Sequence, residues 1–270
     1  MFVGTHFSNP ISCCTFNPMI RLSLVGTGNL GWNLIHNFQN APGIDLHQVV
    51  DRSDRLDDQS GIHRIREVSE MQSTDICILA VKDSDILPLS KELKDLDSLI
   101  VHCSGATPLS VLDDLKRYGV WYPLQTFSRD FAVELNGVPI ALESNAKSDY
   151  QLLEKLALAV DAKPIAIDSE QRSSLHLAAV MVNNFVNHLF SLGKEVVSDH
   201  GLDFDLLIPL IEETVRKAGT KGPKESQTGP AVREDQVTIH KHLEALNQPT
   251  TQEVYRILTR SIIEFHGKKL

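Results

Sequence analysis

Residues 20–38, IRLSLVGTGNLGWNLIHNF, place a glycine motif between an apolar run and an amphipathic segment. The motif has the form G-x-G-x-x-G, and its flanks predict a strand before it and a helix over 29–38. In that setting the first glycine permits a tight turn, the second lets a pyrophosphate approach the backbone, and the third lets helix and strand pack closely. The amide N–H groups at the start of the helix then face the phosphates.

The motif therefore predicts a dinucleotide site. Its cofactor-binding residues are Gly26, Thr27, Gly28, Asn29, Leu30 and Gly31. A glycine-rich turn without a ligand is the alternative, and the strand–turn–helix context favours the dinucleotide.

Beyond the motif, short apolar runs alternate with amphipathic stretches as far as residue 168. The runs cover 20–25, 46–50, 76–81, 99–103, 120–122, 138–142 and 164–167, and helices are predicted over 29–38, 83–93 and 148–160. This alternation predicts an α/β Rossmann domain, with a doubly wound and mostly parallel sheet.

The pattern changes after residue 168, where strand-like runs cease. Helices are predicted over 169–200, 203–218, 231–246 and 250–266, which indicates an all-α region. We expect three parts: an N-terminal extension over 1–18, a dinucleotide-binding Rossmann domain over 19–168, and a helical domain for dimerisation and substrate binding over 169–270.

Composition excludes several classes of partner. The formal net charge of −9 predicts repulsion from nucleic acid and from anionic membranes. The longest apolar runs are too short to span a bilayer, and the four cysteines form no C-x-x-C pair, so we expect no membrane span, no zinc site and no disulfide framework. A cytoplasmic protein with a small-molecule substrate is the prediction.

Two signals compete at the end of the second predicted strand. Asp51 lies where a carboxylate accepts hydrogen bonds from the ribose of NAD, whereas Arg52, Ser53 and Arg55 would hold the 2′-phosphate of NADP. We favour NADP, with NAD as the alternative. A further alternative is that these arginines are solvated surface residues and bind no cofactor. After the later strands, Val81, Lys82 and Ser104 are predicted to contact the cofactor at the carboxyl edge of the sheet.

Longer segments resemble a known family. They are LVGTGNLG (24–31), AVKDSDI (80–86), VHCSGATPLSVL (101–112), GVWYPLQTFSRD (119–130), HLAAVMVNNFVNHL (176–189) and QTGPAVRED (227–235). In them the sequence resembles Rossmann-like NADP oxidoreductases with a helical C-terminal domain of uncharacterised function, distant relatives of pyrroline-5-carboxylate reductase and the 3-hydroxyacid dehydrogenases.

The resemblance implies a dimerising helical domain, an active site in the cleft between the domains, and recognition of NADP by an arginine after the second strand, here Arg52. Asp51 departs from the small polar residue expected there, and the resemblance supplies no substrate. In the related 3-hydroxyacid dehydrogenases a lysine lies on the helix that begins near residue 169, and this chain has none at that place. His176 is the remaining candidate proton donor.

Further candidates accompany His176. Asn183 follows it at a spacing of seven, which predicts one face of a continuous α-helix, and Gln125 lies on a loop expected to reach the cleft. A histidine that is merely partly buried at a domain junction is the alternative for His176. We predict an NADPH-dependent reductase of a small carbonyl or imine compound, or alternatively a regulatory protein that binds NADP without catalysis.

The substrate-binding candidates are Thr228, Gly229 and Arg233. The first two are expected to lead into a helix that carries Arg233, where amide groups and a guanidinium would bind an anionic substrate group. A surface arginine paired with a neighbouring acid is the alternative. His240 and His242 are two residues apart and point to different sides of a helix, so no metal site is predicted.

Overall fold

The computed structural model describes residues 19–52, 56 and 62–266. The predicted extension over 1–18 lies outside the described residues, and so do Ser53 and Arg55. The chain divides into two compact units, one reaching to Val180 and the other beginning at Met181. The first unit thus continues past the boundary predicted after residue 168 and includes one further helix.

The first unit is built on a single eight-stranded sheet. Its strands are β1 (Ile20–Val25), β2 (Ile44–Val50), β3 (Arg64–Ile65), β4 (Ile76–Leu79), β5 (Leu99–His102), β6 (Tyr118–Pro123), β7 (Pro139–Ser144) and β8 (Lys163–Ala166). They follow the order β3-β2-β1-β4-β5-β6-β7-β8, and only the β6–β7 pair is antiparallel. The predicted doubly wound, mostly parallel sheet is confirmed. Successive strands are added on one side of β1 as far as β3 and on its other side from β4 onward, and such a switch point in the strand order is where these sheets bind ligands.

Both faces of this sheet are covered. The helices α1 (Asn29–Phe38) and α3 (Lys147–Leu158) contribute to one buried apolar cluster, and α2 (Asp83–Glu92) to another. Alternate residues of β4 point to opposite clusters: Ile78 belongs to the first and Leu79 to the second. Burial on both faces explains why the strands read as continuous apolar runs in the sequence.

A helical stretch follows β8. It comprises α4 (Ser169–Ala179), a π turn (Val180–Asn184) and α5 (Phe185–Ser198). One long helix was predicted over 169–200. The backbone is helical over nearly all of this range, but a π turn interrupts the α-helix. Asp168 caps the start of α4, because its carboxylate accepts a hydrogen bond from the backbone N–H of Gln171.

The described residues of the second unit form helices joined by turns, without a strand, as predicted. After α5 come a 3₁₀ turn (Phe204–Leu207), α6 (Ile208–Lys221), α7 (Pro223–Ser226), α8 (Gln236–Ala245) and α9 (Pro249–His266). The helix predicted over 231–246 begins only at Gln236, with Asp235 as its cap. Within the described ranges, no helix has the length and apolar character needed to cross a bilayer.

Candidate functional site

The glycine motif forms a turn in which two positions accommodate only glycine. Gly26 has φ +103°, and a Cβ there would lie 2.5 Å from the carbonyl oxygen of Ala80. A Cβ on Gly31 would lie 2.0 Å from the carbonyl oxygen of Gly26, so α1 packs directly against the end of β1. A Cβ on Gly28 would meet nothing within 4 Å, which leaves the approach to the turn open.

The open approach leads to the start of α1. Gly28 is the N-cap, no side chain caps the helix, and its first turn contains no acidic residue. The first amide N–H groups and the positive end of the helix dipole are therefore available to an anion. Among the predicted residues of the motif, Asn29 is exposed and Leu30 packs partly against the apolar cluster. This cradle fits a pyrophosphate.

Asp51 at the end of β2 is fully buried, and its carboxylate has partners inside the fold. Thr27 donates its hydroxyl to Oδ1 at 2.7 Å, and the backbone N–H of Leu56 donates to Oδ2 at 2.9 Å. Arg64 lies 4.0 Å from Oδ2. These contacts favour a structural role for Asp51 and Thr27 over the predicted contact of Asp51 with a ribose.

Arg52, the next residue, is exposed in a turn. Within the described parts of the chain no hydrogen bond or ion pair engages its guanidinium. This arginine is therefore available to a phosphate at the end of β2. Ser53, its predicted companion, lies outside the described residues.

The loops after β4 and β5 begin at the edge of the sheet where Gly26 lies, because these strands are parallel to β1. Val81 lies against the glycine turn, its Cγ1 3.1 Å from the position of a Cβ on Gly26, and exposed Lys82 is the N-cap of α2. Ser104 is buried, and its hydroxyl oxygen accepts the backbone N–H groups of Ala106 and Thr107 at 3.2 and 2.9 Å. Ser104 thus shapes the loop after β5.

His176 on α4 belongs to this edge as well. Its Nδ1 lies 3.0 Å from the hydroxyl of Tyr122 on β6, and the two rings meet edge to face. The backbone of Gly105 packs against the imidazole, because a Cβ there would lie 2.6 Å from Cγ of the ring. His176 was predicted from the sequence and Tyr122 was not, although Tyr122 opens the YPLQTFS segment that carried the family resemblance.

A buried ion pair fixes α4 on the sheet. Arg172, one turn before His176, pairs with Glu143 of β7 and donates to the carbonyl of Thr107 at 2.6 Å. Ser169 donates its hydroxyl to the same carboxylate and accepts the backbone N–H of Leu109 at 2.9 Å. Arg172 and Glu143 were not predicted. An arginine four residues before His176 on a helix was the available signal.

His102, the last residue of β5, is fully buried beside this ion pair. Burial lowers its pKa to about 4. The positive charge of Arg172 also lowers this pKa, whereas the backbone carbonyl of Pro108 raises it by a smaller amount. The ring is therefore neutral at pH 7. Its Nδ1 accepts the backbone N–H of Ser104 at 3.2 Å, which places the proton on Nε2, an atom without a hydrogen-bond partner among the described residues.

Gln125 is exposed on the loop after β6. Its side-chain oxygen accepts the N–H of Thr126 at 2.8 Å. The loop is fastened to α1 by two asparagines one turn apart, since Asn33 bonds the backbone of Ser128 and Val133, and Asn37 that of Val133 and Leu135. This connection, which no sequence pattern predicted, holds the loop beside α1.

The other candidates lie in the second unit. Asn183 is exposed within the π turn, where the α-helical spacing that predicted a face shared with His176 no longer applies. Thr228 and Gly229 precede a turn rather than a helix, and exposed Arg233 lies outside α8. The N-terminus of α8 is already capped, because Asp235 accepts the N–H of Thr238 at 3.0 Å. The predicted helix over 231–246 therefore does not include Arg233, whereas the anion site itself stays a prediction.

The two histidines considered for a metal have ordinary partners. His240 lies 3.1 Å from Glu244, and Nδ1 of His242 lies 2.8 Å from the hydroxyl of Tyr255. Within the described residues no group of three or more potential ligands converges.

Residues 138–262 match a family described as a domain of unknown function, DUF2520. A Bacteroides fragilis protein assigned as an NADP oxidoreductase is 34% identical and has a TM-score of 0.85, and the match covers 91% of this chain and 98% of that one. A comparison with curated proteins found no match.

Two further solved structures share the fold at lower identity. An imine reductase from Myxococcus stipitatus, in complex with NADP+, is 17% identical with a TM-score of 0.64, covering 92% of this chain and 96% of that one. A pyrroline carboxylate reductase from Plasmodium falciparum, with NADP bound, is 15% identical with a TM-score of 0.56, covering 92% and 98%.

Proposed function

The chain belongs to the Rossmann-like NADP oxidoreductases with a helical C-terminal domain, and on that premise we propose that it is an NADPH-dependent reductase of a small carbonyl or imine compound. One observation carries the proposal. The uncapped start of α1 and the Tyr122–His176 pair lie at the carboxyl ends of strands in one sheet. An anion site and a titratable group at that edge are the two parts that a dinucleotide-dependent reduction requires of the protein.

The residues at the glycine turn fit NADP. The amides behind Gly28 hold the pyrophosphate, and Arg52 binds the 2′-phosphate, which an exposed guanidinium recognises through its forked donors. Asp51 is occupied inside the fold and does not compete for the ribose. NADP is also the cofactor that the names of the related proteins give.

His176 is the proton donor in this proposal. NADPH, when bound, supplies the hydride. His176 delivers a proton to the oxygen or nitrogen of the substrate, because an imidazole changes its protonation state near neutral pH. Asn183 and Gln125 are secondary candidates for orienting the substrate. Thr228, Gly229 and Arg233 remain candidates for binding an anionic group, through the arginine side chain rather than helix amides.

A second copy of the chain is the proposed macromolecular partner. In the second unit, large apolar side chains are exposed on α6 and α9, including Leu210, Val215 and Ile257. Apolar surface of this extent on a helical unit favours a homodimer.

Ligand binding and turnover test the proposal separately. We expect NADPH to raise the unfolding temperature of the protein. A screen of cyclic imines, 2-oxo acids and β-keto acids for NADPH oxidation then looks for a substrate. With a substrate in hand, His176→Asn should lower kcat by about a hundredfold or more while NADPH affinity is kept. His36→Asn, in the last turn of α1, is the matched control and should behave as wild type. Wild-type turnover by His176→Asn would rule out His176 as the donor.

A regulatory protein that binds NADP without catalysis is the second candidate. The observation in its favour is that α4 carries no lysine at the place where the related dehydrogenases have one. NADPH binding without oxidation of any compound in the screen would support this reading. Failure of NADPH to bind would contradict both candidates.

A further inference from the structure

We propose that Tyr122 and Gly105 act together as positioning residues for His176, fixing the imidazole in one orientation and in the tautomer that carries its proton on Nε2. The inference rests on the proposed role of His176 as proton donor. It concerns how the fold prepares that histidine, and the tautomer is measurable without any substrate.

The hydrogen bond between Tyr122 and His176 selects the tautomer. Nδ1 of the imidazole lies 3.0 Å from the phenolic oxygen. A neutral imidazole has one nitrogen that donates and one that accepts, and a phenol is a much stronger acid than an imidazole N–H. Tyr122 therefore donates its O–H to the lone pair of Nδ1, and the ring proton resides on Nε2. Nε2 has no hydrogen-bond partner in the portion of the chain that the structure describes, so it is the nitrogen available to a substrate. This tautomer is the resting, neutral ring. To act as the acid, the ring first takes up a second proton at Nδ1, whose N–H then donates to the phenolic oxygen, and the proton on Nε2 passes to the substrate.

Gly105 permits the ring to occupy this place. A Cβ at position 105 would lie 2.6 Å from Cγ, 2.7 Å from Nδ1 and 2.8 Å from Cβ of His176. No side chain fits at these distances unless the imidazole moves. The ring is thus held between the backbone of the loop after β5 and the tyrosine of β6, and displacing it breaks the bond to Tyr122.

The groups around the pair keep the tyrosine in its donating form. Burial raises the pKa of the Tyr122 hydroxyl, and the positive charge of Arg172 opposes that rise without cancelling it. Arg172 lies on α4 itself and is paired with Glu143 from β7. His102, at the end of β5, is neutral near pH 7. A neutral phenol that retains its proton is the state needed to donate to Nδ1.

Nuclear magnetic resonance of the ring nitrogens tests the tautomer directly. Long-range ¹H–¹⁵N correlation of the ¹⁵N-labelled protein, with His176→Gln used to assign the signal, should show His176 protonated on Nε2 at pH 8. Tyr122→Phe should give a mixture of the two tautomers. Tyr118→Phe, at the other end of β6, is the matched control and should leave the signal unchanged. An Nδ1-protonated ring in the wild type, or an unchanged tautomer in Tyr122→Phe, would overturn the proposal.

A second variant probes the glycine. Gly105→Ala should shift the ring signals of His176 and give the same mixture of tautomers as Tyr122→Phe. Where a substrate is known, we expect Tyr122→Phe to lower kcat about three- to tenfold, with the KM for NADPH unchanged, which is the size of effect expected for one lost hydrogen bond. A changed tautomer with unchanged kcat would support the positioning and contradict the proposed role of His176. The two failures are thereby distinguished.

Discussion

Asp51 shows how a buried side chain determines the role of its neighbour. Its two carboxylate oxygens accept hydrogen bonds from Thr27 and from the backbone at Leu56, which joins the glycine turn to the segment after β2. A carboxylate that is desolvated and paired in this way is costly to redirect. The exposed group at the end of β2 is therefore Arg52, and a guanidinium there attracts a phosphate where a carboxylate would repel it.

The first prediction concerns cofactor choice. Arg52→Ala should weaken NADPH binding by about ten- to a hundredfold, since a hydrogen bond to a charged group contributes roughly 1.5–3 kcal/mol, and should leave NADH binding nearly unchanged. Asp51→Asn should destabilise the fold without altering the preference. Lys94→Ala, which removes the same charge beyond the end of α2, is the control. Fluorescence titration with both cofactors measures these effects, and an NADPH preference that survives in Arg52→Ala would contradict the assignment.

The second prediction concerns pH. Folding lowers the pKa of His102 to about 4, from about 6.5 in an unfolded chain. Below pH 6.5 the unfolded state binds a proton that the folded state refuses, so stability is lost as the pH falls from 6.5 towards 4. His102 should account for roughly 2–3 kcal/mol of the loss between pH 7 and 4.5.

His102→Asn isolates this contribution, because its amide oxygen retains an acceptor for the N–H of Ser104. Denaturant unfolding of both proteins at pH 7 and 4.5 should show the smaller loss in the variant. Equal losses in the two proteins would mean that His102 does not resist protonation in the folded state.

At the scale of elements, a strand or helix could be predicted when the residues that determine its ends lie close together in the sequence. The end of β1 and both ends of α1 were predicted because apolar periodicity and the glycine motif lie within one short segment. β3 was missed because a strand of two residues has no periodicity. The π turn was missed because its five residues, VMVNN, contain neither glycine nor proline. The start of α8 was placed too early, although Asp235 is a typical N-cap residue.

The candidate site was less predictable than the fold. Tyr122 and His176 are 54 residues apart, and Arg172 meets Glu143 across 29 residues. Such pairs form only when α4 packs on the sheet, and no local pattern encodes that contact. His176 could be singled out by its chemistry alone, whereas its partners required the structure.

The packing of α1 on β1 predicts opposite effects for the same substitution at two helical glycines. Gly31→Ala should destabilise the protein by several kcal/mol and abolish NADPH binding, since the new Cβ would lie 2.0 Å from the carbonyl oxygen of Gly26. Gly193→Ala in α5 meets nothing within 4 Å and should stabilise the protein by about 0.5–1 kcal/mol, the usual helix-propensity gain. Thermal unfolding of the two variants measures both signs, and a stable Gly31→Ala protein that binds NADPH would contradict the close packing.

At the scale of the whole molecule, the two units differ in how they bury apolar residues. Sheet strands in the first unit are largely buried, as the 0% exposure of Leu22, Ile78 and Trp121 illustrates. In the second unit Leu206, Leu210 and Val215 are each more than 60% exposed. A helical unit that leaves side chains of this size in water has an incomplete core as a single chain, and a second chain would complete it.

The last prediction follows from that exposure. The protein should scatter light as a dimer, at about twice its chain mass of 30.0 kDa, at micromolar concentration. Leu210→Glu on α6 should yield a monomer. Because Leu210 is 64% exposed in the single chain, the change removes little packing within that chain, and a charge placed inside an interface is strongly unfavourable. Thr220→Glu adds the same charge at a polar position of α6 and should remain dimeric. A wild-type protein that is monomeric would exclude the homodimer, and a dimeric Leu210→Glu would exclude this face of α6 as the interface.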